Sequence, residues 1–195
     1  MFHGRKKKTI LPKKGYTELT AVFLWLKFAS VFLSCLIISS TALSESLNLK
    51  ISSPAFTDNG YIPVKYTCQG SDINPPLMFK NVPHNTESLV LIVEDPDAAG
   101  GTFTHWIMWG INPKIEEIKE HDVPQGARQG MNDFGTNGYG GPCPPYGKAH
   151  RYLFKLFAIN TVLHINGHTT RREIEETIHS HVIARAMFTG LYKRQ

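Results

Sequence analysis

Four side chains able to move protons or hold anions stand at places where strand alternation would put apolar ones: Asp95, His105, His150 and Tyr152. Asp95 shares its parity with Leu89, Leu91 and Val93 and closes that apolar face. His105 shares its parity with Phe103, Ile107, Trp109 and Ile111, while His150 and Tyr152 share theirs with Phe154, Leu156 and Ala158. If the first two runs are antiparallel neighbours joined by residues 96–102, Asp95 and His105 meet at one rim of a sheet. One carboxylate, two imidazoles and one hydroxyl around an apolar floor make a small polar-mouthed pocket. The carboxylate is expected to orient an imidazole and favour its cation, leaving His and Tyr to donate to a phosphate or carboxylate oxygen. It also repels a full anion, so a zwitterion, or a phosphate that keeps a proton, fits better. Pro142, Pro144 and Pro145 fix φ ahead of His150 and stiffen the loop that delivers it.

The same residues could serve two other chemistries. A hydrolase could use His105 or His150 as general base, but neither a Gly-x-Ser-x-Gly elbow nor a His-Glu-x-x-His helix is present. Asp95, His105 and His150 have the composition of a two-His, one-carboxylate metal site, yet they come from separate strands and their spacing supports nothing. The expectation is a binding protein without catalytic residues, metal or cofactor.

The elements that must position these residues are short β-like runs set off by Gly, Pro, Asn and Asp: 47–52, 61–67, 88–94, 104–111 and 150–160. Ser88–Val93 is apolar at both parities, which predicts a central strand covered on both faces. Thr170-Arg-Arg-Glu173 is a capping box, after which Ile174, Ile178 and Val182 repeat along one face of a predicted helix. Residues 186–192 predict a last strand, and the Gly- and Pro-rich stretch 112–148 a long functional loop. The class is mainly β with one helix near the C-terminus.

Several segments carry a family resemblance. Asp95-Pro-Asp-Ala98, His105-Trp106, Gly141-Pro-Cys-Pro-Pro145 and His150-Arg-Tyr152 resemble the signatures of the phosphatidylethanolamine-binding family, in its bacterial Raf kinase inhibitor-like branch. Residues 51–56, 62–63, 66–70 and 74–77 extend the likeness from about Leu47 to Tyr192. The resemblance implies a two-sheet antiparallel Greek-key β-sandwich with a few helices. It also implies an anion pocket formed by Asp95, His105, Pro144, Pro145, His150 and Tyr152. The ligand it implies is a small anion or phospholipid headgroup, and some relatives also act on a protein partner such as a protease. Cys143 departs from the small residue that precedes the paired prolines in eukaryotic members, which puts lipid specificity and kinase inhibition in doubt.

The net charge of +5 does not belong to this domain. Seven of the 21 Lys and Arg residues but one of the 16 acids precede Glu45, so the rest carries 14 basic residues against 15 acidic. A nucleic-acid partner therefore lacks an electrostatic basis. Residues 1–44 instead read as a leader: a basic start, an apolar run from Phe28 to Ile38, and a small-x-small site at Ala42-Leu43-Ser44. Cleavage there predicts a periplasmic or secreted domain of residues 45–195, the alternative being an uncleaved membrane anchor. Loss of the leader removes Cys35 and leaves Cys68 and Cys143, to be read either as a disulfide at the pocket wall or as two buried thiols.

Overall fold

The computed structural model describes Met1 and residues 48–195 except Asn166, so the leader beyond Met1 lies outside the described residues. Within them the chain runs through β1 (Lys50–Ser52), β2 (Gly60–Tyr61), β3 (Leu77–Lys80), β4 (Ser88–Asp95), β5 (Phe103–Ile111), β6 (Glu117–Ile118), β7 (Arg128–Gln129), β8 (His150–Ile159), α1 (Arg171–Ile178) and β9 (Val182–Tyr192). One sheet has the order β1-β3-β6, the other β2-β9-β8-β4-β5-β7. All pairings between these strands are antiparallel except β2 with β9, where a two-residue edge strand runs parallel.

β4 is buried along its whole length, as its apolar character at both parities requires. Leu89, Leu91 and Val93 join Phe154, Leu156, Phe188 and the small sheet's Ile51, Leu77 and Phe79 in the core between the sheets. Val90 and Ile92 turn the other way, under Ile174 and Ile178 of α1 together with Ile107 and Trp109. The strand is thus covered by a second sheet on one face and by a helix on the other.

Two irregularities in β5 decide which way its side chains face. Gly110, at φ +68°, is an extra residue between the pairs Leu89↔Ile111 and Leu91↔Met108. His105 is a second, between Val93↔Trp106 and Glu94↔Thr104. Each bulge shifts the alternation by one. Ile107 and Trp109 therefore pack under α1, whereas Trp106, Met108 and Ile111 enter the core between the sheets. The common face expected for His105, Ile107, Trp109 and Ile111 is corrected by these bulges.

The predicted helix is shorter than its periodicity, because Val182 opens β9 rather than closing the helix. The capping box is present: Glu173 N–H donates to Thr170 Oγ1, and Thr170 N–H donates to Glu173 Oε2 at 2.8 Å. At the other end, His181 O accepts from Asn160 N–H and ties the turn to the end of β8. The β-branched pair Val182-Ile183 then favours a strand. The run 61–67 is likewise corrected, to a two-residue strand followed by a 3-10 turn, Val64–Tyr66. The stretch 112–148 contains the two short strands β6 and β7, and β3 had no counterpart in the expected runs.

Candidate functional site

β5, β4 and β8 are neighbours in that order, so the end of β4 and the starts of β5 and β8 share one rim. A cleft of about 270 Å3 opens there, lined by Asp95, His105, Pro144, Pro145, His150 and Tyr152. All six residues expected at the site are in it. Its remaining walls are Ala98, Ala99 and Gly100 from the β4–β5 connection, Phe103, Phe134 and Cys143.

Asp95 pairs with His150 rather than His105. Its Oδ2 lies 2.7 Å from His150 Nδ1, which donates to the carboxylate. Its Oδ1 accepts the Asp97 N–H at 2.8 Å. Both oxygens are thus used within the protein, and the carboxylate positions an imidazole instead of facing a ligand directly. Asp97 in turn grips Arg151: Oδ2 accepts from Arg151 Nε and from its backbone N–H, and Oδ1 accepts from Nη2 at 2.6 Å. The guanidinium holds the Asp97 carboxyl down at about 2. A closed circuit, Asp95, Asp97, Arg151 and His150, therefore fixes the wall that carries Ala98 to Gly100. Replacing the exposed Arg151 by Ala is expected to change stability little, as for other exposed pairs. Affinity for a phosphomonoester should nevertheless fall several-fold as that wall loosens. Denaturant titration and calorimetry check the two effects separately, and unchanged affinity would remove the circuit from the site.

His105 has a different environment. It is 3% exposed, its Nδ1–H donates to Gly140 O at 2.6 Å, and its ring meets Tyr152 edge-on at 5.1 Å. Burial pushes its pKa down, against the Gly140 carbonyl and the charges of Asp95 and Asp133, which push it up. The neutral ring, with Nδ1–H committed, leaves Nε2 as an acceptor. The imidazole that the carboxylate orients is thus His150, while His105 is turned to a backbone carbonyl. Asp95 turns both carboxylate oxygens to protein partners rather than toward the two Nε2 atoms, and no group of three His, Cys, Asp or Glu side chains placed to hold a metal ion occurs among the described residues.

The Tyr152 side chain is fully buried, and its hydroxyl makes no hydrogen bond of acceptable geometry with a described residue. Burial first, then the adjacent Asp95 carboxylate through its charge and its hydrogen-bonding contact with the hydroxyl, push its ionisation far above the usual phenol range. The group is therefore a neutral O–H donor, held between the Asp95 carboxylate and the cleft.

The proline-rich wall is tied down from the 66–72 segment. Cys68 and Cys143 form a disulfide with Cα atoms 5.4 Å apart. Cys68 N–H donates to Pro142 O, Gly141 N–H to Asp72 Oδ1 and Tyr139 O–H to Tyr66 O. Gly141 is needed for this approach, since a Cβ there would lie 2.4 Å from Asp72 Oδ1 and 2.6 Å from Tyr66 O. Phe134 and the 98–100 wall were missing from the expected site. Phe134 stands in a segment without periodicity, held because Asn132 Oδ1 accepts from the N–H groups of Phe134 and Thr136. The Asn132-Asp133 pair ahead of it is the one local signal of such a turn.

A family profile described as phosphatidylethanolamine-binding protein matches residues 52–193. UPF0098 protein PH1269 of Pyrococcus horikoshii is 48% identical over 159 residues, covering 77% of this chain and 79% of its own. The UPF0098 protein of Aquifex aeolicus is 43% identical over 152 residues, covering 75% and 89%. The crystal structure of CT736 from Chlamydia trachomatis, a phosphatidylethanolamine-binding protein homolog, superposes with a TM-score of 0.74 at 39% identity, over 77% of this chain and all of that one. That of YbcL from Escherichia coli, described as a member of the mammalian family, gives 0.72 at 28% identity, over 76% and 99%.

Proposed function

Since the chain belongs to the phosphatidylethanolamine-binding protein family, we propose that the cleft binds a small phosphorylated or zwitterionic ligand, such as a lipid headgroup, without covalent chemistry. The observation that carries this reading is the convergence on one cleft of the buried Tyr152 hydroxyl, held beside the Asp95 carboxylate, with His105 and His150. A phosphate oxygen would accept from Tyr152 O–H and, when the His150 ring carries both protons, from its Nε2–H, while a proton retained on the ligand would go to His105 Nε2. Phe103 and Phe134 supply an apolar wall for the group that carries the phosphate.

The non-enzymatic reading is supported by the makeup of the cleft. Its lining holds no serine or threonine, and Cys143 is committed to the disulfide. The imidazole of His150 thus has a carboxylate partner but no adjacent nucleophile to activate. Export through residues 1–44 belongs to the same proposal, and the disulfide supports an oxidising compartment. A role in modulating a protein partner, a protease among them, would act through the exposed rim at Tyr146, which is 72% exposed.

Replacing Tyr152 by Phe tests the reading. The Asp95 oxygens keep their contacts with His150 and the Asp97 N–H without the hydroxyl, so the variant should fold like the parent. Affinity for phosphoethanolamine should fall about tenfold, the usual weight of one hydrogen bond to a charged acceptor. Mass spectrometry of protein purified without phosphate or acetate should find a phosphorylated small molecule retained. Equal calorimetric affinity for variant and parent, with nothing retained, would sink the proposal.

A further inference from the structure

Behind the six-stranded sheet, on the face away from the small sheet, α1 packs on β4, β5, the end of β8 and Val182 at the start of β9 but leaves Arg185 and Met187 of β9 exposed. A trough of about 500 Å3 remains there, between the C-terminal half of the helix and the outward-facing residues of β8 and β9. That volume lies within the usual range of ligand pockets. The cross-strand pairs Phe157↔Arg185 and Lys155↔Met187 lie along it, with Ile178 and Val182 at the helix side. Met187 is 60% exposed, an unbranched apolar side chain with no cover.

The charges in the trough are unevenly matched. Lys155 is ion-paired with the buried Glu94, and Glu175 with Arg171. Arg185 has no acidic partner among the described residues, so the trough keeps one uncompensated cation beside its apolar floor. A cationic ligand would be repelled there, and a neutral apolar one would cover Arg185 without pairing it. A second copy of the chain placed on a two-fold axis would set the same excess positive charge against itself. We propose that the trough is a second binding site, separate from the cleft, for an amphipathic carboxylate whose alkyl or aryl body lies on Phe157, Ile178 and Met187 while its carboxylate meets Arg185.

Octanoate is the probe, titrated into the full-length chain below its micelle concentration and read by NMR at the Met187 and Ile178 methyl groups. Saturable shifts at these methyls are expected. They should persist in His150→Ala, which disables the cleft, and should weaken about tenfold in Arg185→Glu, the weight of one charge-assisted contact. Arg185 is exposed on a strand, so the variant retains the fold. Shifts that rise linearly without saturation, shifts confined to Phe103 and His105, or equal affinity in Arg185→Glu would each overturn the proposal. So would broadening of the same methyls with protein concentration alone, which would assign the trough to self-association. Because the His150→Ala arm leaves the trough intact, failure at the cleft and failure here give different results.

Discussion

Removing the Cys68–Cys143 bridge is expected to lower stability by about 4.5 kcal/mol, the chain-entropy value for a loop closed over 75 residues. For a domain of this size that corresponds to a fall in Tm of roughly 10 to 15 °C. The loss falls on the unfolded chain, which regains the freedom of the enclosed loop. In the folded protein the 66–72 segment still holds the proline-rich wall through Cys68 N–H to Pro142 O, Gly141 N–H to Asp72 and Tyr139 O–H to Tyr66 O. Ligand affinity should therefore fall less than stability, by a few-fold, as the wall at Cys143 relaxes. Thermal and denaturant unfolding of a Cys68→Ala/Cys143→Ala double variant, beside the parent with and without reductant, measures the effect. A Tm change below about 3 °C would contradict it. So would two free thiols in exported, non-reduced, denatured protein, because the bridge would then not form in its own compartment.

Much of this architecture could be read from residue order, and the misreadings have local causes. The two-faced apolar run of β4 required cover on both sides, and it has a sheet on one and α1 on the other. Strand-end polar residues marked the rim correctly, because His150 and Tyr152 sit in a regular stretch of β8 whose alternation is undisturbed. His105 reaches the expected rim but not the face of Ile107 and Trp109, because the bulge at His105 carries no glycine to mark it in the sequence, whereas the bulge at Gly110 does. The choice of His150 as partner for Asp95 depends on the pairing of β4 with β8, two strands separated by more than fifty residues, which no local pattern encodes. Glu94 was legible and overlooked. It shares its parity with Val90 and Ile92, and a buried carboxylate there needs the cationic partner that half-buried Lys155 supplies from the adjacent strand. Phe134 and the 98–100 wall enter the site through loops, where side-chain direction follows from tertiary contacts rather than from a period.

The affinity of the cleft for a phosphomonoester is expected to fall about tenfold per pH unit above the ligand's second ionisation near 6, or about a hundredfold between pH 6 and 8. The argument rests on the two imidazoles being unlike. His105 is buried against Tyr152, Phe103 and Phe134, and burial lowers its pKa from the ordinary value of 6.5. Above that value it is neutral, with Nδ1–H given to Gly140 O and Nε2 left as an acceptor. A dianionic phosphate would place a bare oxygen against that lone pair, with Asp95 and Asp133 adding negative field. The monoanion brings its own proton to Nε2 and leaves its other oxygens for Tyr152 O–H and, in the doubly protonated ring, His150 Nε2–H. Binding at pH 8 must therefore take up a proton, and linkage gives the slope its sign: affinity is highest where the bound proton is already present and falls as pH rises. His105 itself adds an opposite trend to stability. Its lowered pKa means that the folded state binds fewer protons than the unfolded one, so stability is complete above about 6.5 and declines as pH falls below it. Calorimetry from pH 5.5 to 8.5 in buffers of different ionisation enthalpy should detect proton uptake of up to one per ligand at the alkaline end. A phosphodiester, which has no ionisation in this range, separates the ligand's proton from the protein's and should give a much flatter profile. If the phosphomonoester binds equally at pH 6 and 8 with no proton uptake, His105 does not act as the acceptor.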